Sequence, residues 1–340
     1  MNIKLIQIDG KLPNLALMKI SAWHKLQGDA VGFDIADPDK VYISCIFSWN
    51  RPLALGIAKM FDCDVEIGGY GVNGMKLRDE IEHIMPDYAL YGIRHSMGYL
   101  TRGCFRKCPF CNVWRIEGNI REHAPLNEFL HPKHDKVILL DNNLLASMHS
   151  TKILEELSRR KLKVCFTQGL DVRLMTREIA KILSKIDFRS TSFREKRLYI
   201  AWDRMKDEDK VMRGIKILTE SGIKPRQIMC YMLTCFDTTF EEDMYRFNRL
   251  CECGVDPFVM RYNRKGNRID REFSRWVNMR WYKVLSFDKW LEIRRRKKHT
   301  KNRAKQQVWK ESLSKERWKN RSLTYPGIAE AMAEQWGRLI

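Results

Sequence analysis

The sequence predicts an α/β protein: a small open parallel α/β domain over 1–90, a six-stranded (βα) partial TIM-type barrel over 91–290, and a basic C-terminal helical tail over 291–340. Three observations carry that expectation. Short apolar runs rich in Val, Ile, Leu and Tyr alternate with stretches of helical length through residue 263, the order of βα units rather than of hairpins. Gly28, Gly222 and Gly254 follow helical stretches as stop residues. Beyond Asn263 the alternation ends and basic and aromatic residues mix.

Within 1–90, Lys4 to Ile8 reads as a strand, Asn14 to Leu26 as a helix, Val41 to Phe47 as a buried strand, Pro52 to Met60 as a helix, and Cys63 to Gly69 as a strand ending in a Gly pair. From about Tyr91 a second series begins, with a strand running into Tyr99 and Leu100. It continues with strands at Val137–Asn143, Val164–Arg173, Leu198–Asp203, Ile228–Phe236 and Pro257–Asn263. Helices are expected between them at about 151–161, 177–184, 207–221 and 239–251. Successive parallel βα units make a sheet that curls into an open barrel.

A chain of 340 residues has room for two or three domains and a large core. It has no run of about 18 apolar residues, so no transmembrane helix is expected. The opening MNIKLIQIDG alternates like a strand and lacks a signal-peptide apolar region. Ten cysteines without secretion signals fit a reducing, cytoplasmic setting better than a disulfide framework. The net charge of +20 favours an anionic partner such as nucleic acid, although charge alone establishes only attraction.

The chemistry concentrates in YLTRGCFRKCPFCNVW, Tyr99 to Trp114, where Cys104, Cys108 and Cys111 are spaced C-x3-C-x2-C. Gly103 precedes the first and Pro109 sits in the tight return to the last. Three thiolates on one short loop can converge on one inorganic centre and leave a coordination position open. A ferredoxin-type run supplies a fourth Cys, and none follows within reach here. Structural zinc usually takes four ligands in C-x2-C pairs; Cys108 and Cys111 make one pair without a clear second.

In parallel sheets, ligands collect at the carboxyl ends of the strands. Asp141, Asn142 and Asn143 end one strand, Gln168, Asp171 and Arg173 the next, and Asp203 the one after. An Arg fork suits a carboxylate, and an Asp accepts from hydroxyls. The alternative for each is a cap on the following helix. Cys45, Cys165, Cys230 and Cys235 lie in apolar strands and read as buried small hydrophobes; Cys251 and Cys253 lie at a helix end.

The Cys loop, with Phe110 just before its third Cys, resembles the signature of the radical S-adenosylmethionine (radical SAM) enzymes, and the resemblance extends over roughly residues 91–290. It implies a 4Fe–4S cluster on Cys104, Cys108 and Cys111, with the amine and carboxylate of S-adenosylmethionine on the open iron. One electron then splits S-adenosylmethionine to methionine and a 5′-deoxyadenosyl radical that abstracts hydrogen from a substrate. An electron donor such as flavodoxin or ferredoxin is implied as well. The strand-end residues above would reach S-adenosylmethionine or substrate by position, because the family's G-G-E segment is absent; Val259–Tyr262 would flank the adenine. Residues 1–90 resemble the cobalamin-binding-like, flavodoxin-type domain that precedes many such barrels. Its D-x-H-x-x-G motif is missing, so no cobalamin is expected, and His24 reads as a helix residue.

Two other readings stay open: a non-catalytic zinc- and nucleic-acid-binding protein, and an electron-transfer iron–sulfur protein. From Arg294 to Arg321 only Glu311 and Glu316 oppose the basic residues, and Trp309 and Trp318 interleave them. That run reads either as a solvated tail or as an RNA-binding arm. Trp276, Trp281, Tyr282, Phe287 and Trp290 read as core aromatics at helical spacing or as base-stacking residues.

Overall fold

The computed structural model describes residues 1–295 apart from Asn73 and Met75. The chain divides into two compact units, 1–270 and 271–340. Residues 296–340, with the expected basic arm and its Trp309 and Trp318, lie outside the described residues.

The first unit opens with β1 (Asn2–Gln7), α1 (Leu15–Leu26), β2 (Ala30–Gly32), β3 (Lys40–Ser44), α2 (Arg51–Ala58), β4 (Asp64–Gly68) and α3 (Asp79–Glu82). The four strands form one parallel sheet in the order β2-β1-β3-β4. Both faces are covered, as a parallel sheet requires. Ile3, Leu5 and Tyr42 pack with Leu17, Ile20 and Ile81 on one face, and Val41, Ile43 and Cys45 pack with Ala54 on the other. Helix α1 starts where expected because the Asn14 side chain caps it, accepting from the Leu17 N–H at 3.1 Å.

Two strands end earlier than the apolar runs suggest, for a local reason. The Asp9 carboxylate accepts from the Ile46 and Phe47 N–H groups and from Asn50 Nδ2, which bends the chain away after Ser44. After β4, Gly69 takes a φ of +111° so close to the Cys45 carbonyl that a Cβ there would lie 2.3 Å from its oxygen. The short strand β2 has too few residues to show a pattern in sequence.

The chain then runs through β5 (Ser96–Gly98), β6 (Thr101–Arg102), α4 (Val113–Ile116), β7 (Arg121–Glu122), α5 (Leu126–Phe129), β8 (Lys136–Leu139), α6 (Ser150–Arg159), β9 (Lys163–Phe166), α7 (Arg177–Lys185) and β10 (Asp187–Phe188). It continues with β11 (Leu198–Ala201), α8 (Glu208–Glu220), β12 (Ile228–Thr234), α9 (Phe240–Glu252), β13 (Asp256–Arg261) and α10 (Arg268–Asn278). All six expected strands are present and parallel, but they fall into two sheets, β10-β9-β8-β5 and β11-β12-β13. The unforeseen β10 pairs with the start of β9, and β11 pairs with the chain only beyond the end of β9, through a parallel bridge between Leu170 and Ile200. Helix α9 begins with a capping box between Thr239 and Glu242.

One helix joins the layers of this unit. Leu17 and Ile20 of α1 face the first sheet, while its neighbour Met18 packs with Met97, Ile138 and Cys165 of the second. Beside it, Lys19 is buried and donates to Glu82 at 2.8 Å; Glu82 also takes Arg102 and His123, each at 3.0 Å. Arg102 in turn pairs with buried Glu117 at 2.8 Å.

In the second unit, Phe273, Trp276, Val277, Phe287 and Trp290 are buried. The Trp276 indole donates to the Leu285 carbonyl at 3.0 Å, and that of Trp290 to Glu272 at 3.1 Å. For Trp276, Phe287 and Trp290 the core role holds; Trp281 is 38% exposed. Among the described residues no helix is long and apolar enough to cross a membrane.

The Glu82 network sets an acid limit. Burial works to raise the Glu82 pKa, but His123, Lys19 and Arg102 outweigh it and hold the carboxyl at about 2. A depressed carboxylate stabilises the fold above its unfolded pKa, and that stability is lost as pH falls toward 2. Glu82→Gln is expected to lower stability at pH 7 by about 3 kcal/mol and to flatten the loss between about pH 4.5 and 2, read from denaturant unfolding across pH.

Candidate functional site

The Cys loop is an excursion from a small antiparallel ladder, in which Thr101 and Arg102 of β6 pair with Glu122 and Arg121 of β7. Gly103 leaves that ladder at φ +87°, pressed against the chain on the far side; a Cβ on it would lie 2.2 Å from the Asn119 carbonyl oxygen. The Cys104 N–H donates to the Gly118 carbonyl at 3.1 Å, closing the neck of the loop. Farther out, the Cys111 N–H donates to the Cys108 carbonyl at 3.0 Å, and the Trp114 indole donates to the same oxygen at 3.3 Å. Short α4 then returns the chain to β7.

The polar end of β8 fastens this loop with three consecutive residues. Asp141 accepts from the N–H and hydroxyl of Thr101. Asn142 accepts from the Gly103 N–H at 2.9 Å. Asn143 donates to the Cys104 sulfur at 3.3 Å, and the Arg106 N–H donates to that sulfur at the same distance. Asp141 and Asn143 are buried. Burial pushes the Asp141 carboxyl up to about 6 against the bonds from Thr101.

The end of β9 supplies a second anchor. Asp171 accepts from Arg106 inside the Cys loop, from Arg173 Nε at 2.7 Å, and from Asn143. It also caps the following turn through the Arg173 N–H, so the cap and the site share one residue. Burial acts to raise its pKa, but Arg173 and Arg106 hold it below the usual carboxylate range. Arg173 reaches on to Asp207 at 2.7 Å, so its fork is held between two carboxylates.

The thiols share one electrostatic environment with this cluster. Burial raises the Cys108 pKa; Arg173 opposes, and the charges of Cys111, Cys104 and Asp203 add to the rise. Burial raises Cys111 as well, with Cys104 and Asp203 contributing. Asp203, at the end of β11, is pushed to about 6 by burial, with Arg246 and Arg173 opposing. Cys104, Cys108, Cys111, Asp141, Asn143, Asp171, Arg173 and Asp203 are thus one cluster. Gln168 is exposed and lies apart on the wall of a neighbouring cleft, where Asn142 also contributes. Among the described residues, no group of three or more His, Cys, Asp or Glu side chains meets at one point where a metal ion would sit. A cubane cluster binds each Cys through a different iron, so its three sulfurs need not meet at one point. Cys104 is near enough to Cys108 and Cys111 to raise the pKa of both, and its sulfur already takes two N–H donors; N–H donors to ligand sulfur are among the features that tune a cluster.

Several participants were missed in sequence. Arg106 could have been noticed as a cation between two of the cysteines. Thr101 and Asp207 carried no signal, because their roles depend on long-range pairing. Phe236 stacks edge-on against Phe110, with ring centres 5.5 Å apart, and against Tyr262 at 4.8 Å. Cys45, Cys165 and Cys230 are buried as expected. Cys235 is not; it lies half-exposed just beyond β12, at φ +62°, where the chain turns. No protein-family model matches the chain, and neither does any curated protein sequence.

The neck of the loop is testable with two glycines. Gly103→Ala meets both a positive φ and backbone at 2.2 Å, whereas Gly118, at φ +77°, has nothing within 4 Å of its Cβ position. Gly118→Ala is expected to cost only the left-handed strain of about 1–2 kcal/mol. Gly103→Ala is expected to cost clearly more and to speed iodoacetamide labelling of Cys104, read by melting and by peptide mass spectrometry.

Proposed function

We propose that the chain is a cytoplasmic radical SAM enzyme, with β5, β8, β9, β11, β12 and β13 as the strands of a partial barrel. The observation that carries this reading is the fastening of the three-cysteine loop by Asp141, Asn142 and Asn143 at the carboxyl end of β8. Chemistry is expected at that end of a parallel sheet, and a loop that serves only as a surface metal clip has no need of it.

In this reading Cys104, Cys108 and Cys111 hold a 4Fe–4S cluster, which when bound supplies the electron that cleaves S-adenosylmethionine. The protein's part is to hold, orient and exclude water. The Asn143 amide and the Arg106 N–H donate to the Cys104 sulfur and disperse its charge. Half-buried Phe110, Phe236 and Tyr262 offer apolar ring surface to an adenine. Above about pH 6 Asp203 is a half-buried carboxylate able to accept from ribose hydroxyls. Arg173, its fork held by Asp171 and Asp207, fixes the Asp171 carboxylate that receives Arg106 of the Cys loop. The substrate is proposed to be a nucleic acid, on the strength of the net charge of +20.

The test is anaerobic reconstitution with iron and sulfide, reduction, addition of S-adenosylmethionine and assay of 5′-deoxyadenosine. The wild-type chain is expected to form it, and Cys108→Ala to fall to background with its melting temperature little changed. Formation undiminished in Cys108→Ala overturns the proposal. A colourless protein that takes up zinc and forms no nucleoside points to the binding-protein alternative.

A further inference from the structure

A cleft of about 730 Å³ opens beside the Cys loop, entirely within residues 1–270. One wall is the carboxyl edge of the first sheet: the turn from Gly10 to Asn14 after β1, Ile46 and Phe47 after β3, and Gly69 and Tyr70 after β4. Because β1 is central and its neighbours β2 and β3 lie on opposite sides, the crevice between the β1 and β3 turns is the switch point where open parallel sheets bind ligands. The facing wall is Asn112, Val113 and Ile116, directly after Cys111, with Asn142 and Gln168 from the strand ends.

The chemistry of the mouth is aromatic and cationic. Phe47 and Trp49 are 39% and 42% exposed, yet their rings stack with centres 4.6 Å apart and planes within 8°. The Arg264 guanidinium covers the Trp49 ring at 4.4 Å. It is delivered by two successive residues in left-handed backbone, Asn263 and Arg264 at φ +46° and +58°, an uncommon conformation for Arg. The result is a three-layer stack, Arg264–Trp49–Phe47, whose last ring lines the cleft. Exposed Lys11 and Lys76 also line it, without a carboxylate partner among the described residues, whereas the three lining acids, Glu66, Glu82 and Glu117, are paired with Lys40, Lys19 and Arg102. The unbalanced charge at the cleft is therefore positive. Stacked aromatic rings beside unpaired cations suit single-stranded nucleic acid, since every base has a π-face and every linkage a phosphate.

We propose that this cleft admits one nucleotide of a single-stranded polynucleotide, its base extending the Arg264–Trp49–Phe47 stack and its flanking phosphates meeting Lys11 and Lys76. The inference deepens the functional reading above and rests on it for the meaning of the site: the nucleotide would be the substrate presented beside the Cys loop. It is distinct from the expected role of the basic tail, which attracts phosphate without reading a base.

The test is fluorescence anisotropy of a fluorescein-labelled twelve-nucleotide single-stranded RNA of mixed sequence against the full-length protein, with matched single-stranded DNA and duplex RNA as further probes. Phe47→Ala/Trp49→Ala removes no charge and replaces exposed rings, so it leaves the tail's electrostatics intact. It is expected to weaken single-strand binding by roughly ten-fold or more with an unchanged salt slope. Lys11→Ala/Lys76→Ala is expected to flatten the salt slope. Duplex RNA is expected to bind more weakly than either single strand, whose relative affinities report the sugar preference. Wild-type affinity in the aromatic variant, or duplex binding equal to single-strand binding, overturns the inference. The assay needs neither cluster nor S-adenosylmethionine. Failure to form 5′-deoxyadenosine therefore leaves this result standing, and failure to bind through the stack leaves the radical chemistry standing.

Discussion

Three side chains in a row carry the site. Asp141, Asn142 and Asn143 follow the buried strand β8 and bond to Thr101, Gly103 and Cys104 in nearly the same order. Alternation along extended chain would normally send neighbours to opposite faces; here the strand has already ended at Leu139, and the irregular backbone lets all three reach one loop. A loop rich in exposed residues would otherwise be mobile. Tied at its neck and at its first Cys, it presents the thiols in a defined place. Desolvation is the counterpart: it pushes the buried Asp141 carboxyl and the half-buried Asp203 carboxyl to about 6.

That arrangement depends on a second layer of charge. Glu82, in α3, gathers Lys19 of α1, Arg102 of β6 and His123 just after β7. Burial of such groups is tolerable only when each is paired. The network therefore links the first sheet's helices to the ladder that bears the Cys loop. It also pairs off the acidic charge of Glu82 and Glu117 in the adjoining cleft, where Lys40 holds the third lining acid, Glu66.

Much of the architecture was legible in the sequence, because βα periodicity and capping residues are local signals. Asn14, Thr239 and the stop glycines lie where the pattern placed them. The three cysteines were legible for the same reason, being close in sequence. What sequence hid was long-range. The two-residue strand β10 splits the expected six-stranded run into two sheets, and no apolar pattern announces it. The residues at 141–143 were expected to reach a ligand by position; their hydrogen bonds go to the loop that carries the thiols. Arg173 was expected to suit a carboxylate ligand, but it is held by Asp171 and Asp207, the latter just before α8 in the next βα unit. The stack of Arg264 on Trp49 joins positions too far apart for any local pattern to connect.

The central claim is that the loop holds a cluster with one iron open to S-adenosylmethionine. The most direct measurement is electron paramagnetic resonance of the reconstituted, reduced protein with and without S-adenosylmethionine. The account predicts the signal of a reduced 4Fe–4S cluster whose g values shift when S-adenosylmethionine is added. A cluster signal indifferent to S-adenosylmethionine, or a silent protein carrying zinc, would contradict it.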